Sequence, residues 1–554
     1  MPRCSHVKDV VHVIVGLYMP PFYTEDTVIY ERDFNLFAKK LIAQTDENAK
    51  KELIHFFSYH VKEEHFRKLF TSLFMYITVR MADIGNEIRM ADFDKFRHVI
   101  EAIDILHTAN EKLNYIHWEE FYQDGLNQLL AEHDRVLIRD HHTWFRNRVA
   151  KGELQGAPPI NMDPLPYKVS YCEFPYLLNP GSKARLLELE VREMQAFNRA
   201  INRSPIIVIR VRRDHIVEDA LNQVRSIRKE ELTNALRVHF IGEEGVDEGG
   251  VRKEFFLLLT RQLLDPGYGM FVEDAFTHNL FFNPDSYENP IQFELVGILL
   301  GLAIYNSVIL DVNFPKVLYL MLLGHKPTLE DLKEANPGLG NGLEKLLEFD
   351  GDVETTFCRN FEITYEVFGE NKTIELKENG SNIPVTNGNR QEYVDLYVDY
   401  HLVKSVKQQY DAFAKGFHDV CHGEPLRLFR AEELELIICG SPTLDFEELE
   451  ASTRYEDGYT ESSNVIRWLW EIIHEMSMED KKSLLMFATG TDRVPVRGLG
   501  HLRLTISKHG GDCDRLPSAH TCFNHLLIPE YSSKEKLKDK LLIAIKHSEG
   551  FGTL

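Results

Sequence analysis

Cysteine is scarce: seven in 554 residues, at positions 4, 172, 358, 421, 439, 513 and 522, an odd number with no C-x-x-C pair. That usage excludes a disulfide-built scaffold and fits a reducing compartment. No His and Cys set has zinc-finger spacing, and His60 and His65 have no third ligand in view, so no metal is expected. Long apolar runs are missing too. The longest, residues 295–310, is interrupted by Asn306 and Ser307 and falls short of the roughly 20 residues that cross a bilayer, so it reads as a buried helix and no membrane span is expected. The run from Val10 to Tyr18 contains His12, stops at Pro20-Pro21 and lacks a small-residue cleavage site, which argues against an export signal and for the cytoplasm. Positive charge is in deficit: 63 Lys and Arg against 86 Asp and Glu leave a net charge of −23, the wrong sign for a nucleic-acid partner.

What is present is apolar material for large cores, 44% hydrophobic and 11% aromatic, in a chain long enough for about three to five folding units. Apolar positions recur at helical spacing from about 27 to 149, as in Phe34, Phe37, Leu41 and then Phe66, Leu69, Phe70, Leu73, Phe74, which predicts a helical region over 1–150. Its aromatic density fits core packing, or a binding groove. Gly152, Gly156, Pro158, Pro159, Pro164 and Pro166 mark a linker, and 151–226 is taken as linker plus extension, with helices over 184–200 and 214–236. Alternation at Phe361, Ile363, Tyr365 and Val367, a turn at Gly369-Glu370-Asn371, then Ile374 and Leu376, predict a hairpin. Further strands are expected around 502–506 and 523–528. Ser532 with Glu535 forms a capping box for a last helix with Leu537, Leu541 and Ile545 on one face, ended by Gly550.

Common nucleotide, serine hydrolase and zinc protease motifs are absent, and Gly338-Leu339-Gly340-Asn341-Gly342 has no preceding strand and reads as a turn. Thiol chemistry is left. Six cysteines sit in apolar contexts or at chain ends. Cys522 differs: in Leu516-Pro517-Ser518-Ala519-His520-Thr521-Cys522-Phe523-Asn524 it occupies a turn of small and polar residues, two places from an imidazole. A free thiol with a pKa near about 8.5 has enough thiolate for exchange with an activated thioester, and such exchange mainly requires positioning.

The segment 516–524 resembles the active-site loop of the HECT ubiquitin ligases. The likeness is supported by Gly242-Glu243-Glu244-Gly245-Val246-Asp247-Glu248-Gly249-Gly250, by residues 297–306, by Thr489-Gly490-Thr491-Asp492-Arg493-Val494-Pro495 and by Phe551 near the end. It covers roughly 227–554, weakens over 165–226 and is faint before that. Its details are similar to the small HERC-type ligases, which carry a β-propeller ahead of this region. No glycine-rich repeat array is present here, so the chain is expected to correspond to the C-terminal half of such a protein.

The resemblance implies an α+β, bilobal fold: a mostly helical N-lobe at 227–439 and a smaller α/β C-lobe at 440–554, preceded by the helical region and joined at a hinge of Gly440, Ser441 and Pro442. It implies a ubiquitin-conjugating enzyme, ubiquitin and unidentified protein substrates as partners, with no cofactor. The conjugating enzyme would bind Leu339, Leu343, Leu346, Phe349, Phe357 and Tyr393; the three leucines lie at i, i+4 and i+7, one helical face that could equally be core. Cys522 would carry ubiquitin as a thioester and pass it to lysine. His520 orients the loop or assists proton movement, Thr521 and Asn524 shape it, and Phe551 serves transfer to lysine. The tail ends in Thr553-Leu554, so an acidic role there would fall to the terminal carboxylate or to an acid elsewhere. The alternatives are an idle scaffold and a ubiquitin-removing cysteine hydrolase, which would need a committed His with an orienting Asp or Asn.

Overall fold

In a computed structural model, the described residues are 47–84, 97–153, 170–200, 206–243, 250–367, 370–421, 424–441, 443–496 and 498–546. The chain divides into two compact units, Met1–Glu190 and Val191–Leu554.

The first unit is helical where described, with helices Glu47–His60, Glu63–Ile84, Arg97–Leu113, Asp124–Glu132 and Asp134–Ala150. Phe66, Phe70 and Leu73 are buried, so this stripe of the Glu63–Ile84 helix makes core, while Leu69 and Phe74 stay half-exposed. The Arg97–Leu113 helix buries Val99, Ile100, Ile103 and Leu106 on one face. Phe34, Phe37 and Leu41 lie outside the described residues.

The second unit opens with β1 (Ile206–Val211) and β2 (Ala235–Phe240), a parallel pair with Ile206 opposite Ala235. Between them the helix spans only Ile216–Val224. The helix expected over 214–236 is thus well under half as long, and the end of that stretch already belongs to a strand, in which Leu236, Val238 and Phe240 alternate into the core. A division at 226/227 would cut this strand pair in two. Two short antiparallel pairs follow, β3 (Phe271–Glu273) with β4 (Leu280–Phe282), and β5 (Glu362–Val367) with β6 (Glu370–Glu375). Gly369 of the hairpin turn lies outside the described residues.

The apolar run becomes the helix Pro290–Tyr305, capped by Asn289, whose side chain accepts from the Ile291 N–H. It lies against Lys407–Val420 in the closest helix pairing of the unit. A Cβ on Gly297 would come 2.0 Å from the Phe413 carbonyl oxygen, and one on Gly416 would come 1.9 Å from that of Glu294. Glycine at both positions lets the two backbones touch.

The glycine-rich stretch at 338–342 is not a turn. It lies within the helix Pro337–Glu348, where Asn336 accepts from the Leu339 N–H and Pro337 opens the first turn. Gly340 is helical because its neighbour is backbone: a Cβ there would meet Lys333 Cα at 2.5 Å.

From Phe446 onward the chain has its own core, in which Leu469, Trp470, Leu485, Ile506, Leu526, Ile528, Leu537 and Leu541 are buried. It surrounds a sheet ordered β7 (Arg454–Glu456), β8 (Thr505–Lys508), β10 (His525–Ile528), β9 (Ser518–His520). β8 runs parallel to both β7 and β10, and β9 is antiparallel to β10. The last helix is Lys534–Lys546, and its cap is Ser533, whose Oγ accepts from the Lys536 N–H at 3.2 Å. The neighbouring serine expected to cap it, Ser532, instead donates its N–H to Asp512. No helix among the described residues is long and apolar enough to cross a membrane.

Candidate active site

The backbone turn Thr521–Phe523, which contains Cys522, closes the hairpin between β9 and β10. Asn524 ends it in the left-handed region, φ 49° and ψ 49°, a conformation that asparagine tolerates better than most residues. Its side chain fixes the turn on two sides. Nδ2 donates to the Leu502 carbonyl at 2.6 Å, and Oδ1 accepts from Lys253 Nζ at 3.3 Å. Its backbone carbonyl accepts from the Thr505 N–H, which ties the turn to β8.

Phe523 is 55% exposed, so the turn presents one open side. Thr521 lies beside the end of the helix Met478–Thr489: Gly490 caps that helix at φ 77°, and a Cβ there would sit 3.6 Å from Thr521 Cβ. His520 is exposed at the end of β9, its ring centroid 6.0 Å from that of His525. His525 in turn bonds the buried Ser507 hydroxyl at 2.7 Å. The Cys522 side chain, Phe551, and residues 244–249 of the glycine-rich motif lie outside what the structure describes.

Other described thiols differ in environment. Burial pushes the Cys172 and Cys421 thiols up and raises Cys439 to about 11, so none of the three forms thiolate readily near neutral pH. Cys358 is exposed and donates to the Thr355 carbonyl, and Cys513 is partly exposed.

The expected hinge is a pinned crossing. Gly440 has φ 71° and ψ 170°, and Ser441 exchanges two backbone hydrogen bonds with Val494, at 2.8 and 3.2 Å. Pro442 lies outside the described residues. The segment from Gly490 to Val494 therefore runs from the side of Thr521 to the hinge, and along it Arg493 lies 4.0 Å from Asp311. This gives the Thr489-to-Pro495 motif a structural role that spacing alone did not reveal.

The six residues expected to receive the conjugating enzyme separate into two groups. Leu343, Leu346 and Tyr393 are buried at 6%, 4% and 4% and belong to the core of this part of the chain. Tyr393, packed edge-on against Phe361, is pushed up to about 12 by burial. Leu339, Phe349 and Phe357 are only partly buried, the two phenylalanines edge to face at 5.3 Å. The six residues thus separate by burial alone, three in the core and three partly open. The reason is helix geometry: Leu343 and Leu346 face Val317, Leu332 and Val353, whereas Leu339 sits a turn nearer the helix start.

Lys253 and Asp311 were not singled out from the sequence, and Asn524, Arg493 and Val494 were named there without these partners. One signal was available for Lys253. It sits with Arg252 in the first turn of the helix Gly250–Leu263, which has no acid there, although a helix N-terminus favours negative charge.

The chain matches the HECT-domain (ubiquitin-transferase) family over residues 257–554. It is 39% identical over 480 residues to "Probable E3 ubiquitin-protein ligase HERC4" of Homo sapiens, covering 83% of this chain and 45% of that protein. It is 36% identical over 536 residues to "Probable E3 ubiquitin-protein ligase HECTD2" of Homo sapiens, covering 90% of this chain and 65% of that one. A third relative, "Probable E3 ubiquitin-protein ligase mug30" of Schizosaccharomyces pombe, is 39% identical over 69% of this chain and 52% of its own length. The chain thus spans about half the length of curated relatives it matches. A likeness over 90% of the chain cannot be confined to residues 165–554, so it extends into the helical region, where the motifs had looked faint. By its match across more than half its length, this chain belongs to the HECT-domain (ubiquitin-transferase) family.

Proposed function

We propose that the protein is a ubiquitin-protein ligase acting in the reducing cytoplasm. The Cys522 thiolate attacks the carbonyl carbon of the thioester linking ubiquitin to a conjugating enzyme; a new C–S bond forms, the old one breaks, and the conjugating enzyme leaves as its thiolate. A substrate lysine amine then attacks the new thioester, forming an isopeptide C–N bond and releasing Cys522, while the amine proton passes to a carboxylate. One thioester replaces another in the first step, so the chain's task is to position the reacting groups.

The observation that supports this reading is the open-sided turn Thr521–Phe523, anchored by Asn524, within the segment that resembles the family's active-site loop. The partly exposed Leu339, Phe349 and Phe357 offer an apolar seat for the conjugating enzyme. His520 and Thr521 support the loop, Gly440, Ser441 and Pro442 form the pivot, and Phe551 serves transfer to lysine.

The test mixes the protein with activating enzyme, conjugating enzyme, ubiquitin and ATP beside Cys522→Ala, on a non-reducing gel. A reductant-sensitive ubiquitin adduct confined to the unmutated protein supports the relay. If no adduct forms while the conjugating enzyme stays charged, the reading fails. Phe551→Ala is expected to load but to modify lysine slowly, and equal loss of both steps would count against its assigned role.

A further inference from the structure

We infer that Lys253 is a positioning residue that docks the Cys522 turn on the N-lobe for transfer to lysine, an inference that rests on the function proposed above. The helix Gly250–Leu263 packs on the turn Thr521–Phe523, and the bond from Lys253 Nζ to Asn524 Oδ1 joins residues from opposite lobes. The orientation of the amide is fixed by chemistry: its Nδ2 faces the Leu502 carbonyl, which only accepts, so Oδ1 is left for the ammonium.

Leu502 already anchors the turn within its own lobe; what Lys253 adds is the link across. Its position supports a specific task, since a cation in the first turn of a helix opposes the macrodipole and is sustained by a particular acceptor. Arg252 beside it has acceptors inside the N-lobe, the Leu236 carbonyl and Asn306 Oδ1, both at 3.1 Å. Lys253 reaches an acceptor in the other lobe, Asn524 Oδ1.

Loading and discharge place different demands on this contact. To load, the turn must meet a conjugating enzyme seated at Leu339, Phe349 and Phe357, and the helix that carries Leu339 packs with Leu329–Ala335 and Arg390–Asp399. The Lys253 bond belongs to the docked arrangement, in which the loaded thioester waits against the N-lobe, so it acts on discharge. A hydrogen bond to a charged donor, once lost, corresponds to about a tenfold change in such a step.

The experiment charges the full chain, its Lys253→Met and its Lys253→Arg variants with ubiquitin, stops recharging, and follows decay of the Cys522 adduct into lysine products. The methionine variant is expected to load within twofold of the unmutated rate, which also shows that it folds, and to discharge about tenfold more slowly. Arginine, which keeps the charge and the reach, is expected to restore discharge. Unchanged discharge in Lys253→Met, equal slowing of both steps, or failure of arginine to rescue overturns this inference alone. An unmutated protein that never loads overturns the proposed function, and this inference with it.

Discussion

Gly440→Ala probes the lobe junction, and its effect can be worked from the backbone. With φ 71° and ψ 170°, Gly440 occupies a region almost closed to other residues, and an alanine held there costs about 1–3 kcal/mol. The new methyl would also lie 2.6 Å from the Val494 carbonyl oxygen, 3.1 Å from Ile309 Cγ2 and 3.2 Å from Arg493 Cβ. Val494 cannot retreat without cost, because that oxygen accepts the Ser441 N–H and its own N–H donates to the Ser441 carbonyl. Two such bonds together contribute only about 1–3 kcal/mol, so the cheapest relief is to open the Ser441–Val494 bridge rather than to unfold either lobe. If opening becomes easier by about 2 kcal/mol, exchange of these two amide hydrogens with solvent accelerates about thirtyfold. Amide hydrogen exchange read by mass spectrometry checks this, with the Thr505 N–H, bonded to the Asn524 carbonyl inside the sheet, as an unchanged control. Undiminished protection at Ser441 and Val494 in a folded variant would refute the argument, as would loss of protection throughout the C-lobe.

Leu343→Ala is expected to lower stability by about 2–5 kcal/mol in urea unfolding, because it empties core, whereas Leu339→Ala and Phe357→Ala leave the midpoint nearly unchanged and slow charging at limiting conjugating enzyme. Gly297→Ala is expected to cost about 3 kcal/mol or more, read as a lower urea midpoint, since its methyl would collide with the Phe413 backbone. In the first unit, burial raises the Asp140 carboxyl to about 7 and, with the neighbouring His142, holds the His141 imidazole down to about 3. Asp140 therefore loses stability as pH rises from about 4 to 7, His141 gains it from about 3 to 6.5, and the slopes of about 1.4 kcal/mol per pH unit cancel in the overlap. Asp140→Asn leaves the His141 slope alone, so its urea midpoint, relative to the unmutated chain, should climb between about pH 4 and 6.5; parallel profiles would sink the assignment.

The sequence was most legible where one period or one motif dominated. The hairpin at 362–375 and the last helix emerged from alternation and from an apolar face. Local signals misled where tertiary contact overrode them: Leu236, Val238 and Phe240 extend a helical-looking stretch but fill a strand face, and the glycines at 338–342 look like a turn but allow a helix to lie on Lys333. The last helix starts at Lys534 and takes its cap from Ser533, one place after the serine that the spacing pointed to. For the candidate site, Cys522 could be singled out from its neighbours in sequence, but the bond between Lys253 and Asn524 could not, since the two lie 271 positions apart.

A similar contrast separates the packing inside the C-lobe from its contacts with the N-lobe. Within the C-lobe, buried Leu469, Leu485, Leu526, Leu537 and Leu541 each contribute about 1.5–3 kcal/mol, which keeps the β7-to-β10 sheet and its helices together as a body. Contacts described between this body and the N-lobe include polar ones of another kind, the Lys253–Asn524 bond and the partly exposed Arg493–Asp311 pair at 4.0 Å, beside the packing of Gly250–Leu263 on the turn and the backbone bridge at the hinge. Exposed ion pairs are worth about 0–1 kcal/mol and single hydrogen bonds about 0.5–1.5, so releasing such contacts costs far less than breaking the core. On the function proposed above, the lobe that bears the thiol needs that ratio to pass from a conjugating enzyme to a lysine. The segment from Gly490 to Val494, which lies beside Thr521 at one end and binds Ser441 at the other, ties the turn to the pivot.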